Sequence, residues 1–342
     1  MTRTTFPRDV RDAVTPRATL MVLGAIALQL LFVASYVGAL HDPRPKDTPF
    51  GVVAPRAAQT AARLDRLPGS PLDARALADE ATARRQILDR KIYGALVVHP
   101  AGTTDTLLVA SGGSAAMANA LVDLMTAVER DQQRTLRTVD LAPDSDQDFN
   151  GLTSFYLVVG WCVGGYLCAS ILAVSAGARP SAPRRAAIRL LVLALVAVVG
   201  GLGGALIVGP ALDALPGGTA ALWGLGALTV FAVGATTLAF QGVFGIIGVG
   251  LVILLVVIAG NPSAGGAFPF PMLPPFWRAI GPALPPGAGT WAARSITYFD
   301  GNALTGSLLV LSAWALGGIV ITMLAAALHA RRTGGPRPAG HG

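Results

Sequence analysis

Charge is scarce in this sequence. Only 13% of its 342 residues are Asp, Glu, Lys or Arg, against about a quarter in soluble domains. Hydrophobic residues make up 53% and mean hydropathy is +0.58, which excludes an ordinary soluble protein. Lysine is nearly absent (Lys46 and Lys91), so the net charge of +7 rests on arginine. Outside residues 41–150 those arginines stand at the edges of apolar runs rather than along one patch, which argues against nucleic-acid binding. Cysteine is limited to Cys162 and Cys168. Six positions apart on one helix they point about 120° away from each other, so they neither pair within it nor offer a metal spacing. His41, His99, His329 and His341 are scattered over loops and termini. No Walker A pattern, H-E-x-x-H, G-x-S-x-G or acidic cluster occurs, so the chain is not read as an enzyme and no cofactor or metal site is expected in it. No acidic or basic residue falls in the middle of an apolar run. Such residues mark proton relays and ion paths, so their lack counts against an ion-coupled transporter or a selective channel.

Six apolar runs are present: 18–40, 152–176, 187–208, 219–240, 243–260 and 304–328. Each approaches the length needed to cross a bilayer. The expected fold is a mainly α polytopic membrane protein. Six transmembrane helices carry a small α+β extracytoplasmic domain inserted between helices 1 and 2. The first run exceeds the apolar core of a signal peptide and reads as an uncleaved anchor.

The polar insertion 41–150 predicts strands over 50–54, 92–98, 106–110 and 136–141 and helices over 73–89 and 114–134, a βαββαβ unit. In the second helix Met117, Leu121, Leu124 and Val128 recur at helical spacing. Ser111-Gly-Gly-Ser114 reads as a strand-to-helix turn with Ser114 as cap and a weak anion site at the helix start.

Arginine placement orients the chain. Arg3, Arg8, Arg11 and Arg17 precede span 1. Arg179, Arg184, Arg185 and Arg189 lie between spans 2 and 3 or at the edge of span 3, and Arg331, Arg332 and Arg337 follow span 6. The loop 209–218 has neither arginine nor lysine. All three clusters fall on one side if the six spans alternate, which places both termini in the cytoplasm and residues 41–150 and 261–301 outside. Residues 1–17 also carry Phe6, Val10 and Val14 four apart, the pattern of a short amphipathic helix on a membrane surface. Residues 331–342 form a basic cytoplasmic tail.

Within the spans, Gly160 with Gly164 and Gly200 with Gly204 are spaced for close helix packing, in the bundle or in a dimer. Gln29 is expected to hydrogen-bond across helices. Gln241-Gly242 is expected to form the tight turn between spans 4 and 5.

Residues 261–301 are too long to be structureless inside a compact protein. Prolines leave two helix-competent pieces, 275–280 and 288–299. Trp277, Trp291 and Tyr298 favour the membrane interface. The segment therefore reads as a lid of short helices over one membrane face. Arg278 and Arg294, each close to a tryptophan, are expected to snorkel to headgroup level or to bind lipid phosphate or an anionic substrate.

Asn261-Pro-Ser-Ala-Gly-Gly, Leu273-Pro-Pro-Phe-Trp-Arg-Ala-Ile-Gly-Pro and Leu284-Pro-Pro-Gly-Ala resemble the segment before the last span in membrane subunits of type-2 ABC transporters. The likeness is to the bacterial branch similar to phage-infection-protein-like permeases, and the order of elements matches over almost the whole chain. The resemblance implies a permease in a bacterial cell membrane that works as a homodimer or heterodimer. Such a permease exports an amphipathic molecule, lipid or drug with a separate ATPase subunit, which would carry the ATP. It places the ATPase-docking loop at Arg179, Arg184 and Arg185, and lid contacts to substrate or lipid at Asn261, Pro262, Trp277, Arg278, Trp291 and Arg294. The alternative is a non-transporting membrane protein whose outer domain binds a partner or envelope polymer.

Overall fold

The computed structural model describes residues 15–179 and 182–333. The expected amphipathic start lies outside the described residues over 1–14. So do Pro180, Ser181 and the tail from 334 onward.

The first helix, α1 (Pro16–Leu40), opens on Thr15, whose hydroxyl accepts from the Ala18 amide at 3.2 Å, with Pro16 in the first helical position. Its apolar surface is almost wholly exposed. It touches the rest of the chain near its end, where the Ser35 hydroxyl donates to the Ile258 carbonyl and Tyr36 donates to that of Val257 at 3.4 Å. Gln29 is exposed, so the expected bond across helices is not made within this chain.

A head of five strands follows. Strands β1 (Thr48–Val53), β2 (Leu72–Ala76), β3 (Gly94–Val97), β4 (Thr104–Val109) and β5 (Thr135–Asp140) lie in the order β2-β1-β3-β4-β5. Only the β3–β4 pair is antiparallel. Helices α2 (Ala57–Asp65) and α4 (Ala115–Asp131) cover one face, burying Phe50, Leu64, Leu107 and Leu121. Helix α3 (Glu80–Leu88) covers the other, over Ile87, Ala95 and Leu108. Ser114 caps α4 as expected, accepting from the Met117 amide at 3.3 Å.

The expected helix over 73–89 is corrected. Its first part is strand β2, and the helix begins only after Asp79, which accepts from the Thr82 amide at 2.7 Å. The Ala/Arg/Leu composition favours helix, but parallel pairing with β1 overrides that weak preference. Helix α2 was not anticipated either. The head is therefore βαβαββαβ rather than βαββαβ.

One buried acid in the head sets a pH dependence. Glu129 is 2% exposed beside Asp105, itself 1% exposed. Burial and the neighbouring Asp105 carboxyl push Glu129 up to about 7, against weaker opposition from Arg134 and Arg63. Burial also works to raise Asp105, but the Arg134 guanidinium, at 2.6 Å from both of its oxygens, holds it below its ordinary value. The folded state thus keeps a proton on Glu129 that the unfolded chain releases above about pH 4.5. Stability should fall as pH rises from there to about 7 and then level off. Glu129→Gln imitates the protonated form. It is expected to raise stability at pH 8 on the order of 3 kcal/mol, with the gain vanishing near pH 4.5. Thermal unfolding in detergent across that range checks it; an equal shift at both ends would count against a shared proton.

After the head come α5 (Thr153–Ala176) and α6 (Pro183–Leu206), the latter extended by a π-helical turn at Ile207–Ala211. Helix α7 (Thr219–Phe244) follows them. With α1 and the last helix, α11 (Thr305–Thr333), these make five described helices long and apolar enough to cross a membrane. Helix α7 is the axis, packed against α5, α6 and α11. Glycine makes those crossings possible. A Cβ on Gly165 or Gly201 would stand 2.5 Å from α7 backbone atoms, and one on Gly318 would stand 2.6 Å from the Ala235 carbonyl carbon.

The expected packing glycines are mostly displaced from this role. Gly160, Gly164 and Gly200 have nothing within 4 Å, and Gly204 alone packs, against Trp161 and Leu157. One step along a helix turns the side chain by about 100°, so Gly165 and Gly201 occupy the crossings instead.

The turn between the fourth and fifth apolar runs is also corrected. Helix α7 continues through Gln241-Gly242, and the chain reverses at Gly245, with φ of +66°. Gln241 is fully buried and its side-chain amide has no protein partner. Gly248 lets the returning helical limb of the hairpin lie on the Phe240 backbone. That segment, α8 (Ile247–Val252) continued by the π-helix Ile253–Gly260, has only six plus eight residues. Its length is at most about 21 Å, short of the roughly 30 Å hydrocarbon layer. Residues 262–266 then run buried into the lid.

A candidate site where lid, head and last span meet

The lid holds the two expected short helices, α9 (Pro275–Ile280) and α10 (Pro285–Tyr298). Arg294 is held by backbone carbonyls, which corrects the expectation that it snorkels or meets lipid, whereas Arg278 bonds backbone carbonyls while remaining partly exposed. Arg294 is 3% exposed. Its guanidinium donates to the carbonyls of Gly265 and Gly266, each at 2.7 Å, and of Gly151 at 2.9 Å. Those carbonyls belong to the lid entry and to the turn before α5, where no regular ladder satisfies them. A five-donor fork suits such a cluster. Burial pushes this guanidinium below its ordinary value, while Asp148, Tyr298 and Tyr93 oppose the shift. Arg278 donates to the Lys46 carbonyl at 3.0 Å and to that of Pro271 at 2.7 Å, fastening the chain entering β1 to the lid.

The head answers with Arg90, which stands at φ +58° just after α3. It donates to the Trp291 carbonyl and the Ser295 hydroxyl, each at 2.7 Å. Its guanidinium carbon lies 3.5 Å from the centre of the Trp291 ring and 4.8 Å from that of Phe299. Burial pulls Arg90 down to about 9, against the nearby Tyr93. The Gly112-Gly113 turn accepts the end of α10. A Cβ on Gly112 would stand 2.5 Å from the Tyr298 ring, and one on Gly113 would stand 3.2 Å from that of Phe299. The expected anion site at this helix start is thus covered by lid aromatics. Tyr298 donates to Asp148 at 2.7 Å, and Asp148 accepts from the Thr153 amide at 2.7 Å, capping α5. Trp314 of the last span donates to the Ala283 carbonyl at 2.8 Å.

These contacts frame an open, mainly apolar cleft of about 450 Å³. Phe270 and Trp291, stacked at 6.0 Å with an 18° interplanar angle, form one wall. Ser307 and Val310 of α11 form another, and Arg90 and Lys91 stand at the head side. The volume is that of a small-molecule site. Of the two cations, Arg90 is engaged with Trp291 and Ser295, and Lys91 pairs with Asp89 at 2.8 Å.

Of the expected lid residues, only Trp291 lines this cleft. Asn261 ends the π-helix, Pro262 is buried, and Trp277 packs edge-on against Phe276. In the arginine loop, Arg184 and Arg185 are exposed. Arg179 donates to the Val243 carbonyl at 3.1 Å, and Arg189 is buried against the carbonyls of Ala176 and Gly177 at 2.8 and 2.7 Å. Two of the four arginines therefore close helix ends, where the dipole favours a cation. Arg90, Tyr93 and Asp148 were not singled out from the sequence, and nothing in their local pattern sets them apart. The glycine pair at 112–113 was read as a turn but not as a landing for the lid. No family model, curated protein or solved structure matches this chain.

Proposed function

We propose that this chain is the membrane subunit of an exporter that moves an amphipathic molecule, lipid or drug outward and is driven by a separate ATPase. The observation that carries the proposal is the 450 Å³ cleft. It has an apolar floor, one wall formed by the last membrane-crossing helix, and at its head side Lys91, which pairs with Asp89. A molecule sliding up that helix would meet Trp291 with its apolar part and Lys91 with its head. In this reading the chain crosses the membrane six times, counting the short α8 segment with the buried lid entry. Both termini are cytoplasmic, and the head and lid stand outside in a bacterial cell membrane. Exposed Arg184 and Arg185 suit a docking surface for the ATPase, and the open glycines at 160, 164 and 200 suit contact with a second permease chain.

The test is purification of the chain from its native membrane followed by mass spectrometry for an associated ABC ATPase. ATP hydrolysis should rise several-fold in the complex, and Arg184→Glu with Arg185→Glu should abolish the association while leaving the chain folded. Failure of any ATPase to associate with the wild-type chain would overturn the reading. A second reading, a non-transporting protein whose head binds an outside ligand, is favoured by a separate cleft on the head.

A further inference from the structure

Two small cavities lie where Arg90 of the head meets the lid. One, of about 10 Å³, is lined by Arg90 and Arg294 together. The other, of about 20 Å³, reaches toward Phe299. Arg90, Tyr93, Gly113 and Trp291 line both. Arg90 also lines the open 450 Å³ cleft, so it stands between that cleft and the interior.

The charge here does not balance. Arg294 is buried and Arg90 is half-buried. Among the described residues neither forms an ion pair with a carboxylate. Asp148 acts on Arg294 through its field, but it already accepts from Tyr298 and the Thr153 amide. Burial depresses Arg90, and repulsion from Arg294 adds to the effect. Burial pushes the Tyr93 phenol up, while Arg90, Arg294 and Arg278 all act to lower it. Three cations therefore share one small region of the fold.

Donors are left over as well. The Nη atoms of Arg294 are spent on the three carbonyls, while its buried Nε has no partner. Both hydrogen bonds of Arg90 leave from Nη1, so its Nε and Nη2 remain. A buried charged donor without an acceptor is costly, and so is a buried charge without a counter-charge. Both deficits point to one missing negative group.

We propose that chloride binds between Arg90 and Arg294, accepting from the Arg294 Nε, from Arg90 and from the Tyr93 hydroxyl. The volumes decide its size. Cavities of about 10 and 20 Å³ admit little more than one water-sized sphere, so a single-atom anion fits and a phosphate or carboxylate headgroup does not. Water in the same place would satisfy the donors but leave the charges unbalanced. The open cleft beside Arg90 gives the ion its route from solvent. The site does not depend on the exporter reading, because the ion ties head to lid whatever crosses the membrane.

Thermal unfolding of the full chain in nanodiscs of zwitterionic lipid tests it, with sodium chloride exchanged for sodium gluconate at constant ionic strength. Tm should be higher in chloride by about 5 °C once chloride exceeds its Kd roughly a hundredfold. Bromide should replace chloride, and sulfate at the same ionic strength should not. In crystals grown with bromide, the anomalous signal should lie between Arg90 and Arg294. Tyr93→Phe keeps the ring and should weaken chloride several-fold, and Arg90→Gln should abolish the chloride dependence. Equal Tm in chloride and gluconate, the result if water alone fills the cavities, overturns the site, as does an equal rise in sulfate. A bromide signal elsewhere overturns the placement. A full chloride response in Arg90→Gln overturns its part, and unchanged affinity in Tyr93→Phe overturns the hydroxyl contact. If Arg90→Gln does not fold, the wild-type salt series and the bromide position decide.

Discussion

Arg294→Ala is expected to prevent recovery of well-folded protein, with a loss of about 3–5 kcal/mol. Three carbonyls, on the buried glycines Gly151, Gly265 and Gly266, accept from this one guanidinium. Any protein that is recovered should show a Tm in detergent lower by about 10 °C. Arg294→Met fills most of the volume without donating, so it should be nearly as damaging. Arg294→Lys, which can still reach one carbonyl, should fall between. Fluorescence-detected size exclusion with a thermal ramp reads all three. A residue that merely snorkelled to the headgroups would tolerate each change within roughly 0.5 kcal/mol, and that result would falsify the assignment.

Gly201→Val should be as disruptive, and its neighbour gives the control. A Cβ at position 201 meets the Ala227 amide nitrogen at 2.5 Å and the Trp223 carbonyl at 2.9 Å, both backbone atoms that no rotamer change moves. Helices α6 and α7 must separate, forfeiting the packing that holds a membrane bundle together. The expected loss exceeds about 3 kcal/mol. Gly200→Val adds the same atoms where nothing lies within 4 Å, and should leave monomer stability within roughly 1 kcal/mol. The same pair of variants probes association. If Gly200 faces a second chain, Gly200→Val should lower the dimer fraction in crosslinking without changing Tm. Equal damage from both variants would mean that α6 sits rotated from the position described.

The legible parts of the molecule were those governed by short-range pattern. Apolar runs marked the five long helices because bilayer thickness imposes a length. Period-3.6 spacing from Met117 to Val128 and the Ser114 cap gave α4 to within a few residues. Prolines delimited the lid helices, since Pro275 and Pro285 can only begin one. The failures share a cause as well. Strand β2 was read as helix because Asp73-Ala-Arg-Ala-Leu carries no strand signal of its own and extends only by pairing with β1. Gln241-Gly242 was read as a turn because it is the short break between the apolar runs 219–240 and 243–260, whereas the reversal falls at Gly245, where φ is positive.

The candidate site was the least legible part. Trp291 was visible as an interfacial aromatic, but its partner Arg90 lies about two hundred positions earlier in an unremarkable Asp-Arg-Lys stretch. Arg278 and Arg294 have the same neighbours in sequence, a nearby tryptophan and a short helix, whether they face lipid or carbonyls.

By itself the sequence determined that this chain lives in a membrane, where its long helices run, and that a polar head and a proline-punctuated lid interrupt them. Burial of apolar length and the conformational limits of proline act locally, so composition and spacing carry that information. The tertiary structure alone decided which glycines face a neighbour, which arginines are consumed by backbone carbonyls, and where the two clefts open. Those outcomes depend on helix rotation and on contacts between residues far apart in the chain, and a rotation of one residue exchanges an inward side chain for an outward one.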